Sequence, residues 1–284
     1  MDTKSEFDLA ISESLLYRDH LNTKRNDGKY YDDSYAEPIK KYFKDNGIES
    51  YEVNYSKRYK CTSICAFASS GRLCFLYFKP QNADFETAIL NDLSNSRPTK
   101  MDAVIGNENY ECKCQEIVAK SHTPLSVKYL ESALFKEMGV KNYSVKTIEE
   151  TDNETGKVSS REVLVFDVNE LNIKLKGKNN YSNLHFDLKQ LICHLIAIAN
   201  NNKKKLPTKL KYIFFTPNNE VISRYIKVKK LYCELREEIQ AILNEESSIS
   251  KFAKDHNITL EINDSSFVQM KDVDDFVYRK AFKK

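Results

Sequence analysis

Two acidic residues and a lysine stand at a spacing that suits metal-assisted hydrolysis. Glu111 and Lys113 flank Cys112 in a strand-like run, and Asp102 lies nine residues before Glu111. Because alternate side chains of a strand share a face, Glu111 and Lys113 are expected to point the same way. If Asp102 lies on the partner strand of a hairpin, two carboxylates and one ammonium group converge. Burying them together is costly unless a cation or a substrate is bound there.

This set of residues predicts a magnesium site, at which Mn²⁺ could substitute. Mg²⁺ prefers oxygen ligands and retains several waters, so the carboxylates of Asp102 and Glu111 and the carbonyl of Cys112 would suffice. The cation would activate a water, against which Lys113 would lie, and would offset the charge that develops on a phosphate. The expected chemistry is hydrolysis of a phosphodiester bond. The alternative is an exposed ion pair between Glu111 and Lys113 on a solvated strand, which would contribute little free energy.

Composition excludes several other classes of protein. The chain has 284 residues and seven glycines, which never cluster within one motif. Since a P-loop and a dinucleotide-binding loop both need closely spaced glycines, both are excluded. The seven cysteines include no C-x-x-C pair, so we expect reduced core residues and not a zinc site. The absence of an N-terminal signal pattern and of a membrane-spanning apolar run predicts a cytoplasmic protein without membrane contact.

A nucleic-acid partner would have to bind a local patch, because the whole chain carries a net charge of only +3. Between residues 203 and 230, nine basic residues stand against one acidic residue, which gives this stretch a charge of +8. Such a stretch suits contacts with phosphates, although lysine-rich loops are often simply solvated. The predicted nucleic-acid-binding residues are Lys203, Lys204, Lys205, Lys227, Lys229 and Lys230.

The elements that must position these residues follow from the pattern of apolar residues. The predicted core comprises a helix over Lys60–Ser69, strands over Leu73–Phe78, Met101–Ile105 and Asn109–Glu116, a helix over Asp187–Ala199 and a strand over Tyr212–Phe215. Outside it, helices are predicted over 7–17, 36–46, 84–93, 125–138, 219–243 and 265–282, strands over 163–168 and 258–262, and a polar stretch of low order over 151–161. Residues 1–58 are predicted to form a helical appendage, and residues 59–284 a core with an insertion over 117–182 and a helical C-terminal extension.

The order of the core elements and the pattern of Asp102, Glu111 and Lys113 resemble the PD-(D/E)XK nuclease superfamily, which has the restriction-endonuclease-like fold. The core of that family runs helix, three strands, helix and strand. The resemblance covers Lys60–Pro217, and Pro98 stands four residues before Asp102 instead of next to it. It implies an α/β fold, leaning towards α+β, with an αβββαβ core, a mixed central sheet and helical additions at both ends.

The resemblance also implies roles for residues of the second core helix. Gln190 is expected to support the catalytic residues Asp102, Glu111 and Lys113. His194 follows one turn later on the same helix face, where a core histidine is the simpler interpretation. An extra acidic ligand occurs in some members of the family, and Glu86 is the candidate for it, although a solvated position is an equal alternative.

The activity implied by the resemblance is Mg²⁺-dependent cleavage of DNA by an endonuclease of a restriction or defence type. RNA is the other candidate substrate, and a homodimer is expected because enzymes that cut both strands commonly dimerise. Two other functions stay open at this point. One is an inactive nucleic-acid-binding module with the same fold, and the other is a structural protein whose basic stretch binds nothing.

Overall fold

The computed structural model describes residues 1–14, 33–49, 55–56, 61–62, 69–94, 97–118, 122–151 and 156–273. Its α-helices are α1 (Thr3–Ser14), α2 (Asp33–Asp45), α3 (Ser70–Phe78), α4 (Ala133–Glu137), α5 (Leu188–Asn201), α6 (Asn219–Ile222), α7 (Ile226–Ile242) and α8 (Ser248–Asp255). Its strands are β1 (Tyr55–Ser56), β2 (Cys61–Thr62), β3 (Asp84–Ile89), β4 (Thr99–Ile105), β5 (Glu108–Lys113), β6 (Leu125–Ser126), β7 (Ser144–Thr151), β8 (Val158–Val165), β9 (Thr208–Thr216), β10 (Ile258–Glu261) and β11 (Phe267–Gln269). The described chain is a mixed α/β structure.

The central sheet contains six strands, five of which follow the order β10-β9-β5-β4-β3. β3, β4 and β5 form an antiparallel meander, and a two-residue turn at Gly106 and Asn107 joins β4 to β5. Gly106 has a φ of +59°, which glycine adopts without strain and which this type of turn requires. β5 pairs in parallel with β9, and β9 pairs in parallel with both β10 and β11. The predicted mixed sheet and hairpin are therefore confirmed.

Helices α3 and α5 cover opposite faces of this sheet. The ring of Phe78 in α3 packs against Tyr110 of β5 with 4.5 Å between ring centroids, whereas Gln190 of α5 donates a hydrogen bond to Glu111 of β5. Since Tyr110 and Glu111 are neighbours in one strand, their side chains point to opposite faces. Cys112 lies with Tyr110 on the apolar side and is fully buried. The predicted alternation of one core face and one polar face along β5 is confirmed.

Helix α5 follows from clear signals in the sequence. Asp187 caps its first turn, because Oδ1 of Asp187 accepts the backbone N–H of Gln190 at 3.1 Å. Apolar residues recur at helical spacing and bury the helix on several sides. The buried residues are Leu188, Leu191, Ile192, His194, Leu195, Ile196, Ala197, Ile198 and Ala199. The helix predicted over 187–199 is confirmed and continues to Asn201.

The predicted insertion contains a second, three-stranded antiparallel sheet with the order β6-β8-β7. Every residue of β7 except the half-buried Ile148 is exposed, and β8 is fully buried only at Val163 and Leu164. The part of the β7 and β8 pair that lies away from Val163 and Leu164 is therefore exposed on both faces. We call β7 and β8 together the β7–β8 ribbon.

The predicted N-terminal helices are confirmed as α1 and α2 within the described ranges. Phe7, Ala10 and Ile11 of α1 belong to the same hydrophobic cluster as the side chains of the central sheet. Ser14 also links α1 to the segment after β9, because its Oγ atom accepts a hydrogen bond from the backbone N–H of Asn218 at 2.8 Å. The division of the chain at residue 58 stays a prediction.

The beginning of the predicted core is wrong by one element. Leu73–Phe78 is part of helix α3 and not a strand, and Asp84–Ile89 is strand β3 and not a helix. The helix predicted over 60–69 is contradicted at residues 61 and 62, which form β2, while residues 60 and 63–68 lie outside the described residues. Ser69 is the residue that caps α3, since its side chain accepts the backbone N–H of Arg72 at 3.2 Å. The observed order is still helix, three strands, helix and strand, formed by α3, β3, β4, β5, α5 and β9.

Other elements differ outside the core. The helix predicted over 125–138 is β6, a 3-10 helix and the five-residue α4. The polar stretch over 151–161 includes the start of β8, and the helix predicted over 219–243 is broken between α6 and α7. The helix predicted over 265–282 contains β11 up to residue 269, and its part after residue 273 lies outside the described residues. The C-terminal extension is not purely helical, because β10 and β11 join the central sheet. Within the described ranges, no helix has the length and apolar character needed to cross a membrane.

Candidate active site

A cavity of about 420 Å³ opens on the face of the sheet that α5 covers. Strands β4 and β5 contribute Asp102, Glu111 and Lys113 to its lining, and α5 contributes Gln190 and His194. The other lining residues are Ser70, Glu86, Pro98, Thr99, Lys100, Glu116, Asp187, Lys189 and Cys193. The predicted catalytic residues thus line one cavity, although Gln190 lies 79 positions after Glu111 in the chain.

Glu111 is the centre of the hydrogen-bond network in this cavity, and its side chain is only 1% exposed. Its Oε1 atom accepts hydrogen bonds from Lys113 Nζ and from Gln190 Nε2, the latter at 2.5 Å. Its Oε2 atom has no hydrogen-bond partner among the described residues and lies 3.6 Å from His194 Nε2. Burial raises the pKa of Glu111 to about 7, although the charge of Lys113 acts in the opposite direction.

Asp102 lies beside Glu111 because β4 and β5 pair in antiparallel register. Ala103 faces Tyr110, so the next position of the ladder brings Asp102 across from Glu111. The carboxylate of Asp102 borders the cavity and is otherwise surrounded by protein, and its Oδ2 atom accepts the backbone N–H of Cys112 at 2.7 Å. Burial raises the pKa of Asp102 well above its usual range, and the carboxylate of Glu111 raises it further. Two carboxylates therefore share a confined space in which both prefer to be neutral.

Lys113 is buried among several carboxylates. Burial lowers its pKa, but Glu111, Glu116 and Asp102 outweigh this effect and hold the pKa above its usual range. Lys113 is therefore protonated at neutral pH. Glu116 is held near it by a hydrogen bond of 2.6 Å that the hydroxyl of Ser70 donates.

His194 is a neutral side chain in the wall of the cavity. Burial, together with the positive charge of Lys113, lowers its pKa to about 3. Its Nδ1 atom has no hydrogen-bond partner among the described residues, and neither has the buried hydroxyl of Tyr212, which faces Glu111 across β5 and β9. Burying unsatisfied polar groups costs free energy, and three such groups, in Glu111, His194 and Tyr212, gather at this place.

Glu86 also borders the cavity. The ladder pairs on either side of it bring Glu86 across from Asp102, so that Glu86, Asp102 and Glu111 occupy one row across β3, β4 and β5. Glu86 has a φ of +51°, which is uncommon for a residue other than glycine. Its Oε2 atom lies 3.7 Å from Nζ of Lys100.

The donor set fits a small divalent cation of the kind predicted. In the described parts of the chain, no group of three or more His, Cys, Asp or Glu side chains could hold a metal ion. The predicted set needs only two side chains, Asp102 and Glu111, because its third ligand is the carbonyl of Cys112. Burial raises the pKa of both carboxylates, so a bound cation would stabilise their ionised forms, and it would also satisfy Glu111 Oε2, which has no hydrogen-bond partner among the described residues. All the donors are oxygen atoms, which is the preference of Mg²⁺ and Mn²⁺.

The six lysines predicted to bind nucleic acid are exposed and lie outside the cavity lining. Residues 203–205 lie between the end of α5 and the start of β9, whereas residues 227–230 lie in the first turns of α7, after the end of β9. β9 has nine residues, and a strand of that length spans about 30 Å. The two basic groups are thus joined to opposite ends of one strand.

Sequence analysis missed several residues of the cavity. Lys100 alternates with Asp102 along β4, so the period of two could have identified it. Lys189 precedes Gln190 in the first turn of α5, and Glu116 follows β5, where no pattern marks a shared site. No family model, no curated protein and no solved structure matches the chain. Function is therefore inferred from the cavity and from the elements that form it.

Proposed function

We propose that the protein is a Mg²⁺-dependent nuclease that hydrolyses phosphodiester bonds of DNA, with the restriction-endonuclease-like core of the PD-(D/E)XK superfamily. The observation that carries the proposal is the convergence of Asp102, Glu111, Lys113 and Gln190 on one cavity from three separate elements. The sequence of a helix, three strands, a helix and a strand around that cavity agrees with the core expected of this superfamily. A restriction or defence role is part of the same proposal.

Each side chain has a role that follows from its surroundings. Lys113 stays protonated, so it cannot act as a base; its positive charge offsets the charge that grows on the phosphate during hydrolysis. Gln190 donates to Oε1 of Glu111 and thereby fixes the carboxylate, whose Oε2 atom lies 3.6 Å from His194 Nε2 and has no hydrogen-bond partner among the described residues. Asp102, Glu111 and the Cys112 carbonyl would hold Mg²⁺, which supplies Lewis acidity and lowers the pKa of water.

Two partly exposed lysines of the cavity lining are the proposed contacts for the phosphates of the substrate. Lys100 and Lys189 line the cavity together with the buried Lys113, and both are partly exposed. Ammonium groups at this position suit the phosphates on either side of the bond that is cut. Cleavage of both strands of a DNA duplex would need two active sites, and therefore two copies of the chain.

Purified protein incubated with plasmid and with linear DNA, with Mg²⁺ and with EDTA, tests the proposal. We expect cleavage only with Mg²⁺, and we expect Glu111→Gln and Lys113→Ala to lower the rate by about a hundredfold or more. Glu108→Gln is the matched control, because Glu108 lies on the same strand outside the cavity and pairs with Lys211 at 2.9 Å. Unchanged turnover in Glu111→Gln, or equal losses in Glu111→Gln and Glu108→Gln, would contradict the assigned site.

The choice of cation gives a second prediction. We expect Mn²⁺ to replace Mg²⁺ and Ca²⁺ to support DNA binding without cleavage, because Ca²⁺ takes looser geometry and activates water less well. Cleavage rates and electrophoretic mobility shifts in the same three cation buffers separate the two effects. Cleavage that persists in excess EDTA would refute a mechanism that uses a metal ion.

A second candidate function is a nucleic-acid-binding module with the same fold and without cleavage. The observation that favours it is that Oε1 of Glu111 already accepts hydrogen bonds from Lys113 and Gln190, so part of the carboxylate is satisfied without a cation. The two candidates differ in one measurement, because the binding module would shift DNA in every cation buffer and would never shorten it.

A further inference from the structure

The β7–β8 ribbon has features of a surface that pairs with another strand. Its outer part is exposed on both faces, and an isolated two-stranded ribbon is only marginally stable in water. β7 lies at one end of the strand order β6-β8-β7, and its outer edge has no strand partner within the described residues. An eight-residue open edge offers a row of backbone donors and acceptors that suits a further strand.

The charge of the ribbon argues against nucleic acid as its partner. Between residues 144 and 165 there are three basic and five acidic residues, a net charge of −2. A duplex or a single strand would be repelled by this surface. Apolar side chains lie among the charges, since Val145 is 48% exposed and Val158 is 56% exposed. A protein strand is therefore the partner that fits.

The sequence of β7 is complementary to itself in one antiparallel register. In antiparallel pairing, facing residues must have the same hydrogen-bonding direction, so in a two-fold symmetric pair one residue faces its own copy. With Ile148 on the two-fold axis, Lys146 faces Glu150 of the partner subunit, and the symmetry repeats this opposite-charge pair. With Lys146, Glu149 or Glu150 on the axis, like charges would face each other, and with Thr147 on the axis no charges pair.

We propose that β7 pairs with β7 of a second copy of this chain about a two-fold axis at Ile148, which joins the two ribbons into one continuous antiparallel sheet. Seven residues of each strand, 145–151, pair in this register. Lys146, Ile148 and Glu150 alternate along β7 and share one face, where Glu150 also lies 2.6 Å from Arg161 of its own ribbon. The contact is small, so a reversible dimer is expected.

Charge reversal and charge exchange test this register. Sedimentation velocity over micromolar to high micromolar protein should reveal a reversible dimer, and Lys146→Glu should raise its dissociation constant by about tenfold or more, because like charges then face each other twice. The double variant Lys146→Glu with Glu150→Lys exchanges the charges and should restore the dimer. A parent protein that stays monomeric, or a Lys146→Glu protein that dimerises like the parent, would overturn the proposal.

A cross-link locates the axis independently. Facing positions in an antiparallel pair are close enough for a disulfide, whereas Thr147 faces residue 149 of the partner subunit and not its own copy. In a background with the exposed Cys233 replaced by serine, oxidised Ile148→Cys should form a covalent dimer and Thr147→Cys should not. Equal cross-linking of both variants would mean that the pairing is not the one proposed. Matching circular dichroism spectra establish that the variants are folded.

Discussion

Glu111 binds its proton more tightly in the folded protein than in the unfolded chain, because burial raises its pKa from 4.5 to about 7. Between these pH values the folded state holds more protons than the unfolded state, so the contribution of Glu111 to stability falls as the pH rises. We expect the free energy of unfolding of Glu111→Gln, relative to that of the parent, to rise as the pH increases from 4.5 to 7. The total gain over this window is about 3 kcal/mol. Urea unfolding in EDTA below pH 4.5 and above pH 7 measures the difference.

The matched control for this experiment is again Glu108→Gln. The pKa of Glu108 is lowered from 4.5 to about 2, first by the hydrogen bond from Tyr110, so Glu108 stays ionised in the folded protein and its contribution to stability falls as the pH drops, opposite to that of Glu111. An equal stability difference between the Glu111→Gln variant and the parent at both ends of the window would refute the titration assigned to Glu111.

At the level of single residues, the periods of the strand and the helix predicted which side chains of the site share a face. The alternation along β5 correctly brought Glu111 and Lys113 to one face, and the helical pattern brought Gln190 and His194 to another shared face. The packing of the polar face of α5 against the polar face of β5 depends on residues far apart in the sequence. The contact of Gln190 with Glu111 could therefore be expected only from the family resemblance. The catalytic roles of these residues stay predictions.

Helix α7 holds the segment that leads into α5. The buried carboxylate of Glu238 accepts the backbone N–H groups of His185 and Phe186 at 2.8 and 3.0 Å and lies 3.3 Å from Lys178. Glu238→Ala would leave these donors unsatisfied, so we expect a loss of about 2–4 kcal/mol of folding stability. Chemical unfolding measures it, with the exposed neighbour Glu237→Ala as the control. A Glu238→Ala protein as stable as the control would show that the segment does not depend on this anchor.

The errors in the predicted elements have a common physical origin. Leu73–Phe78 is almost wholly apolar, and a short apolar run fits a buried strand as well as a buried helix. The informative signal was the capping residue Ser69, whose side chain begins α3. Asp84–Ile89 mixes polar and apolar residues over too few positions to distinguish the helical period of 3.6 from the strand period of two. The segment is a strand because it pairs with β4. Longer elements such as α5 and β9 carry enough residues for the period to be read.

For the whole molecule, the proposed binding of DNA depends on the two exposed groups of basic residues at residues 203–205 and 227–230. Neutralising residues 203–205 to glutamine, or 227, 229 and 230 to glutamine, should weaken DNA binding about equally for every sequence and reduce the salt dependence by roughly one unit of slope per lost contact. Titrations at several salt concentrations measure both quantities. Glutamine at Lys136, Lys174 and Lys176, which are also exposed, provides a control of equal charge. Basic-group variants with the slope of this control would identify the lysines as a solvated surface.

The parallel pairing of β5 with β9 joins parts of the chain that lie about a hundred positions apart, as the bond from Asn107 to the Pro207 carbonyl illustrates. The hairpin that carries the acidic residues is local and is expected to form early, whereas so distant a pairing forms late. During synthesis on the ribosome, Asp102 and Glu111 emerge long before the helix that supplies Gln190. If the protein is the proposed nuclease, we therefore expect the nascent chain to lack cleavage activity until α5 and β9 have been synthesised and have packed against the hairpin.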